Sequence, residues 1–201
     1  MNAETHRKAT LVVAIIALII ALFGGIPGAC ALYDRCVAIM ERELPASPDV
    51  FVGGDLGDNL FMGLNTSEQE HGWVEVVDDI IRIDFPGAKS WGAWFITAGE
   101  PQAAKEKNLR KFMDFSKYSK LCLELKGKKG TSVYVSIKDR HDLDDGKESR
   151  YLLKFQSDDW ETHEIALDKF SKARLQELNV VTCFVFGKTP KTLEVRKIEY
   201  K

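Results

Sequence analysis

The chain has 201 residues and a mass of 22.6 kDa, the size of one ordinary domain with a short extension, which excludes a large multidomain enzyme. Hydrophobic residues make up 45% of the chain and charged residues 29%, so the composition excludes a disordered, collagen-like or polytopic membrane protein. The net charge of −2, from 28 basic and 30 acidic residues, argues against general affinity for nucleic acids, which requires a basic surface.

The amino-terminal region contains an uncharged stretch over residues 9–33. Its length is sufficient for a helix that spans a membrane. The strongly apolar part ends at Phe23, however, and glycine and proline follow it before the small residues of positions 29–31, as in a cleaved signal peptide. Residues 1–33 are therefore predicted to be either a signal-anchor or a signal peptide.

Both interpretations export the rest of the chain. An uncleaved segment gives a single-pass membrane protein that is attached to the membrane through residues 9–33, with its carboxyl-terminal domain outside the cytoplasm. A cleaved segment gives a secreted or periplasmic protein. The sequence leaves these alternatives open.

Residues 34–49 are predicted to form a juxtamembrane helix and a linker. Apolar residues recur at helical spacing over residues 30–44. Pro45 and Pro48 then end the helix, because proline cannot continue one. The globular domain is therefore predicted to comprise residues 50–201.

Beyond Pro48 the sequence consists of short segments with a period of two, separated by turn residues. Nine of them are predicted to be strands, at residues 73–77, 80–85, 92–97, 119–126, 131–139, 150–156, 161–167, 180–187 and 193–200. The short polar connections at 78–79 and 127–130 favour antiparallel hairpins. The domain is therefore predicted to be all-β, a sandwich or a barrel, with room for only a turn or two of helix at residues 100–113 and 171–178.

The alternation also predicts which side chains face outward. In residues 131–139, Val133, Val135 and Ile137 occupy one face of the strand. Tyr134, Ser136 and Lys138 occupy the other. Since the apolar face of such a strand is buried, the polar residues are predicted to lie on the outer surface.

Several segments resemble the galactose-binding-like jelly roll, the fold of carbohydrate-binding modules and of domains similar to the complex I intermediate-associated protein. The resemblance rests on residues 114–127 (DFSKYSKLCLELKG), 91–94 (WGAW), 160–167 (WETHEIAL) and 195–200 (VRKIEY), and it extends over residues 50–201. It implies an antiparallel jelly-roll β-sandwich, preceded in this chain by one amino-terminal hydrophobic helix. Because these are motifs of the fold, they indicate little about a ligand.

The resemblance also implies that a structural calcium ion can be present, since members of the family often carry one. No set of calcium ligands can be matched to positions in this sequence. Lys197 stands where related closing strands often have an aspartate. The acidic loop at residues 139–146 lacks EF-hand spacing and is interpreted as a solvated loop.

The sequence contains no motif that indicates catalysis. The four histidines are scattered, without the spacing of a zinc site, and neither a nucleophile elbow nor a phosphate-binding loop is present. The protein is therefore predicted not to be an enzyme, to have no catalytic residues and no metal ligands, and to require no cofactor.

Cys122 and Cys183 fall in predicted strands. Free, buried thiols are the simplest interpretation, because cysteine packs as a small apolar residue. If the two strands are adjacent, an exported domain could instead join them by a disulfide bond.

Aromatic residues provide the best candidates for a binding site. A sugar ring has apolar faces and a polar rim, and it binds to a flat aromatic ring beside hydrogen-bonding side chains. Trp91 and Tyr134 are the predicted aromatic platform, whereas Trp94 and Trp160 are assigned to the core. The predicted polar contributors are Lys138, Arg140 and Arg150. Arg150 and Lys154 occupy alternate positions of the next strand and are expected on the same outer face as Tyr134.

These observations predict a non-catalytic, membrane-tethered or exported carbohydrate-binding module that recognises a glycan. The alternative is a protein-interaction or assembly domain that uses the same face for a partner in a cell-envelope complex. An outer face dominated by Leu152, Phe184 and Phe186 would favour the alternative. Nucleic acid is not an expected partner.

Overall fold

The computed structural model describes residues 42–66, 72–101 and 109–201. The predicted signal or membrane segment, residues 1–33, lies outside these residues, as does the predicted juxtamembrane helix up to residue 41. In the part of the chain that is described, no helix is long and apolar enough to cross a membrane.

The described residues form fourteen strands and two short 3-10 helices, at Leu167–Phe170 and Leu175–Glu177. In chain order the strands are β1 (Glu43–Leu44), β2 (Asp49–Val52), β3 (Asp55–Leu56), β4 (Leu60–Thr66), β5 (Val74–Val77), β6 (Ile80–Phe85), β7 (Gly92–Ala98), β8 (Phe112–Met113), β9 (Lys120–Gly127), β10 (Ser132–Asp139), β11 (Arg150–Lys154), β12 (Glu161–Ala166), β13 (Leu178–Phe186) and β14 (Lys191–Tyr200).

The strands form two packed sheets, and the chain passes repeatedly from one to the other. The front sheet has the order β4-β7-β13-β10-β11, and β8 and β1 continue it beside the start of β13. The back sheet has the order β12-β9-β14. On the other side of β14, β6 pairs with one part of the strand and β2 with another. β5 then pairs with β6, and β3 pairs with β2. All of these pairs are antiparallel except β1 with β8. The fold is therefore the antiparallel jelly-roll β-sandwich that the sequence predicts.

The core lies between the sheets and is rich in aromatic rings. Trp94 is fully buried and stacks on Phe184 with ring centroids 5.6 Å apart, which confirms its assignment to the core. Phe186 stacks on Phe85 at 5.1 Å. Because Phe184 and Phe186 both face inward, they contribute nothing to the outer surface.

The prediction of free, buried thiols is confirmed, whereas the predicted helix is wrong at its last two residues. The predicted juxtamembrane helix extends to Leu44, but Glu43–Leu44 form β1, which pairs with β8. Cys122 and Cys183 are free. Cys122 alternates with the inward-facing residues of β9 in the back sheet, and Cys183 does so in the front sheet. The two thiols therefore lie on opposite outer sides of the sandwich and cannot form a bond.

Candidate functional site

The outer side of the back sheet is a charged surface. Ion pairs connect its neighbouring strands, among them Arg82 with Glu194 at 3.7 Å, Lys126 with Glu194 at 3.3 Å, Arg196 with Glu124 at 2.6 Å and Lys120 with Glu164 at 2.6 Å. Alternating charges of this kind are typical of a solvated face and contribute little to stability.

The outer side of the front sheet is different because it carries a small apolar cluster. Ala93, Cys183 and Val185 are buried there, and Phe95 and Val180 pack against them. These residues form the floor of a cavity of about 550 Å³, which we call the cleft. An apolar floor with polar surroundings on one outer face is the usual form of a ligand site.

The strand register sets the positions of the side chains around this floor. One row across the sheet consists of Leu152, Tyr134, Val185, Ala93 and Asn65. The next row consists of Arg150, Ser136, Cys183, Phe95 and Gly63. Trp91 lies immediately before β7, two residues ahead of Ala93, and it also lines the cleft. In the first row, Val185 and Ala93 extend from Tyr134 across to β7.

Gly63 keeps the floor of the cleft low. The ring of Phe95 lies directly over Gly63, and a Cβ atom at this position would be 2.3 Å from Phe95 Cε2. Any side chain on Gly63 would therefore push the ring of Phe95 toward the cleft. Sequence reasoning missed Gly63 because β4 does not alternate clearly and was not recognised as a strand. It missed the role of Phe95, within the predicted strand 92–97, because β7 is apolar on both faces.

Residues 140–149, which we call the wall loop, form a polar wall at one end of the cleft. The ammonium group of Lys138 lies between three carboxylates, at 3.6 Å from Asp142, 3.2 Å from Asp144 and 3.9 Å from Glu148. Arg150 pairs with Glu148 at 2.7 Å, and Arg110 pairs with Asp144. These acidic residues do not fit a calcium site, since a cationic side chain already lies among them.

The charges that line the cleft balance. Among the described residues that line it, three are basic (Arg110, Lys138, Arg150) and three are acidic (Asp144, Asp145, Glu148), so their charges sum to zero. Burial alone would lower the pKa of Lys138, but attraction to Glu148, Asp142 and Asp144 outweighs burial and raises that pKa. The described charged groups of the cleft are therefore hydrogen-bonding groups without excess charge.

The structure brings together most of the predicted site residues. Trp91, Lys138 and Arg150 line the cleft, and 40% of Trp91 is exposed. Tyr134, 43% exposed, does not line the cleft, but it lies beside the cleft on the same outer face, in the row that contains Val185 and Ala93. Arg140 does not line the cleft. Its guanidinium group lies 4.6 Å from the ring centroid of Phe112 and pairs with Glu177 at 3.0 Å.

Trp160 differs from its predicted position, and Arg110 is a residue of the site that the sequence did not indicate. Trp160 is only partly buried, and the guanidinium group of Arg196 covers its ring at 3.9 Å. It therefore belongs to the edge of the back sheet and not to the core. Arg110, which the sequence did not single out, is buried and donates a hydrogen bond of 2.9 Å to the carbonyl oxygen of Asp142. No periodic pattern surrounds Arg110 in the sequence, so no signal marked it.

The described residues contain no group of three or more His, Cys, Asp or Glu side chains arranged to hold a metal ion. Burial raises the pKa of the Cys183 thiol to about 11. The thiol in the floor of the cleft is therefore protonated at neutral pH, and it is not an activated nucleophile.

No protein-family model matches the sequence, and no curated protein matches it significantly. In structure the chain is similar to carbohydrate-binding modules, the class that its sequence resembles. A family 11 carbohydrate-binding module from Clostridium thermocellum, solved with a β-1,3-1,4-mixed-linked tetrasaccharide, is 14% identical with a TM-score of 0.48. The match covers 76% of this chain and 94% of the module.

Two further solved structures are similar. The extra carboxyl-terminal domain of an exo-1,3/1,4-β-glucanase from a Pseudoalteromonas species is 13% identical with a TM-score of 0.47, and the match covers 77% of this chain and 92% of that domain. A family 29 module from Piromyces equi is 12% identical with a TM-score of 0.44, over 76% and 87% of the two chains. At these sequence identities and TM-scores, the similarity concerns the fold, and the ligand of this chain is inferred from its own residues.

Proposed function

We propose that this protein is a non-catalytic glycan-binding protein and that the cleft on the front sheet is its binding site. One observation carries the proposal: the exposed ring of Trp91 lines the cleft, and the exposed ring of Tyr134 lies beside the buried apolar floor on the same outer face. The apolar faces of sugar rings stack on aromatic side chains, and their hydroxyl groups bind polar residues at the rim. Arg150 and the wall loop supply such a rim.

The glycan class follows from the charge of the cleft. A ligand with carboxylate or sulfate groups needs unpaired cations, but Lys138, Arg150 and Arg110 are already paired with carboxylates. Breaking those pairs would leave buried charges without partners, which is costly. The cleft therefore suits an uncharged oligosaccharide.

The same proposal places the domain outside the cytoplasm, either tethered through residues 9–33 or released by cleavage of the signal. This placement is supported by the uncharged stretch of residues 9–33 and by the small residues at its end, positions 29–31. Mass measurement of the mature protein from membrane and soluble fractions distinguishes the two forms. An intact chain recovered from the cytoplasm would contradict both.

The alternative function, a protein-interaction domain, depends on a large apolar outer face. Of the three residues that would favour it, Phe184 and Phe186 are in the core, and only Leu152 is exposed. The other apolar residues of this face form the floor of the cleft. A narrow ligand can enter the cleft and contact this floor, whereas a flat protein surface cannot. A glycan is therefore the better-supported ligand.

The test is retention of the full-length protein on an array of neutral and acidic oligosaccharides. We expect retention on a neutral glycan, and a loss of about tenfold or more in affinity for both Trp91→Ala and Tyr134→Ala, as the removal of a stacking ring produces. Trp160→Ala, which removes a tryptophan on the back sheet, is the matched control and should bind as the parent does. Failure of the parent to bind any glycan would overturn the proposal.

A further inference from the structure

Lys138 lies at the centre of the charged groups that line the cleft. It belongs to β10, which is paired on both sides, with β11 and with β13. Only 15% of its side chain is exposed. Its ammonium group reaches three carboxylates that are spaced along the wall loop, in Asp142, Asp144 and Glu148. A fixed strand is thereby connected to the beginning, the middle and the end of a loop.

We propose that Lys138 is a positioning residue, which holds the wall loop against the end of β10 and thereby forms the polar wall of the cleft, without itself binding the ligand. The part of this inference that concerns a glycan rests on the proposed function. The part that concerns the loop does not, and it can be tested without a ligand.

The neighbouring arginines explain why Lys138 is central. Glu148 is shared between Lys138 and Arg150, and Asp144 is shared between Lys138 and Arg110. Lys138 is thus the group that joins the two arginine pairs into one network. Its removal leaves Asp142, Asp144 and Glu148 close together with one cation fewer, so their mutual repulsion would move the loop outward.

The backbone of the wall loop needs such support. Asp144 has φ of 54°, in the left-handed region that is unfavourable for most residues with a Cβ atom, whereas Gly146, with φ of 74°, adopts that region without strain. Side-chain turns add local order, with Asp142 Oδ1 accepting a hydrogen bond of 2.8 Å from the backbone N–H of Asp144. These local bonds shape the loop, and the ion pairs of Lys138 tie it to the sheet.

Hydrogen-exchange mass spectrometry of the full-length protein tests the loop directly. In Lys138→Met we expect the amides of residues 141–148 to exchange about tenfold faster, equivalent to roughly 1.4 kcal/mol of lost local stability. The amides of β7 and β13 should keep their parental rates, which separates a local opening from general destabilisation. Lys154→Met is the matched control, because Lys154 is exposed on the same face but lies outside the network, and it should change neither region.

Two further variants keep the proposal testable if Lys138→Met folds poorly. Lys138→Arg retains the charge and should restore most of the parental protection. Asp144→Asn removes one carboxylate from the network while keeping a residue that tolerates positive φ, so it should give an intermediate rate. Parental exchange of residues 141–148 in both Lys138→Met and Asp144→Asn would overturn the positioning role.

Binding to neutral β-glucan tetrasaccharides, measured by calorimetry on the same variants, connects the loop to the proposed function. We expect about tenfold weaker binding for Lys138→Met and near-parental binding for Lys138→Arg and Lys154→Met. Parental affinity together with an opened loop would contradict the claim that the loop forms the wall. If the parent itself binds no glycan, the proposed function fails while the exchange result still decides the role of Lys138.

Discussion

A single hydroxyl group links the two sheets through the core. Tyr200, on β14 of the back sheet, is 1% exposed, and its O–H donates a hydrogen bond of 2.6 Å to the carbonyl oxygen of Val181 in the front sheet. Val181 lies where the pairing of β13 is irregular, between Val180 and Thr182. Burial raises the pKa of Tyr200, so the donor keeps its proton over the whole physiological range.

We expect Tyr200→Phe to lower the free energy of unfolding by about 1–2 kcal/mol, because the ring stays packed while one buried hydrogen bond is lost. Urea titration followed by tryptophan fluorescence measures the change. Tyr118→Phe is the control, because Tyr118 packs against Tyr200 but the described structure assigns no hydrogen bond to its hydroxyl group. Equal losses in the two variants would contradict this role of the Tyr200 hydroxyl.

At the scale of residues, sequence alternation predicted the outer face of the front sheet only where the strands are regular. Tyr134 and Arg150 share that face as expected, because the pairing of β10 with β11 is regular there, and Lys138 also lies on it although the pairing of β10 with β13 is irregular on both sides of Lys138. Arg140 was misplaced because β10 ends at Asp139, and alternation carries no information beyond that point. The pairing of Lys138 with three carboxylates depends on the loop conformation, which no local pattern encodes.

The floor of the cleft depends on the contact between strands β4 and β7. We expect Gly63→Ala to destabilise the protein by about 1–3 kcal/mol, because the new methyl group overlaps the ring of Phe95. Thermal unfolding measures this loss, and glycan retention should fall as the ring moves into the cleft. In the double variant Gly63→Ala with Phe95→Leu, the stability lost in the first substitution should partly return. Additive losses in the double variant would show that the two positions do not interact.

One carboxylate organises the connection between β11 and β12. Glu161 Oε1 accepts hydrogen bonds from the backbone N–H groups of Ser157 at 2.6 Å and Gln156 at 2.7 Å, and from the Ser157 hydroxyl at 3.2 Å. These hydrogen bonds, those from Ser157 first, lower the pKa of Glu161 below its ordinary value of 4.5. A lowered pKa means that the carboxylate contributes stability above pH 4.5, and that this contribution is lost as the pH falls through the folded-state value.

We therefore expect Glu161→Gln to be less stable than the parent at pH 7, and the difference to shrink as the pH falls below about 4. Urea titrations at the two pH values measure it. The exposed Glu75→Gln, on β5, serves as the control and should show little difference at either pH. A difference between parent and Glu161→Gln that stays constant with pH would contradict the role of the ionised carboxylate.

At the scale of elements, the nine predicted strands are all present, but five strands were missed: the amino-terminal β1 to β4, and β8, which occupies Phe112–Met113 where the sequence allowed a short helix. The sequence of β4, LFMGLNT, contains a glycine and an asparagine and lacks alternation. β1 was interpreted as the end of a helix because it directly follows apolar residues at helical spacing, up to Met40. Both strands exist because neighbouring strands supply their hydrogen-bond partners, and such long-range pairing is not visible in a local pattern.

At the scale of the whole molecule, the outer faces of the two sheets differ in composition. The back sheet alternates cleanly because its outer face is charged and solvated. The central strands β7 and β13 of the front sheet are apolar on both faces, since one faces the core and the other faces the cleft. Alternation therefore predicted the back sheet well but could not reveal the floor of the cleft, because a strand buried on both sides has no polar face to mark it.

The balanced charge of the cleft leads to an expectation about salt. Because Lys138, Arg110 and Arg150 are already paired, affinity for a neutral glycan should change by less than about twofold between about 0.05 and 0.5 M sodium chloride. Calorimetry at several salt concentrations checks this. A steep fall in affinity with salt would indicate instead that the ligand carries charge and displaces these pairs.

The central claim is that the outer face of the front sheet binds a glycan. Chemical-shift mapping by NMR of the full-length protein, with the oligosaccharide retained best on the array, tests it most directly. We expect shifts concentrated at the backbone amides of Ala93, Phe95 and Val185 and at the indole N–H of Trp91, with the charged strands of the back sheet unchanged. Shifts confined to the back sheet, or no shifts with any oligosaccharide, would contradict the claim.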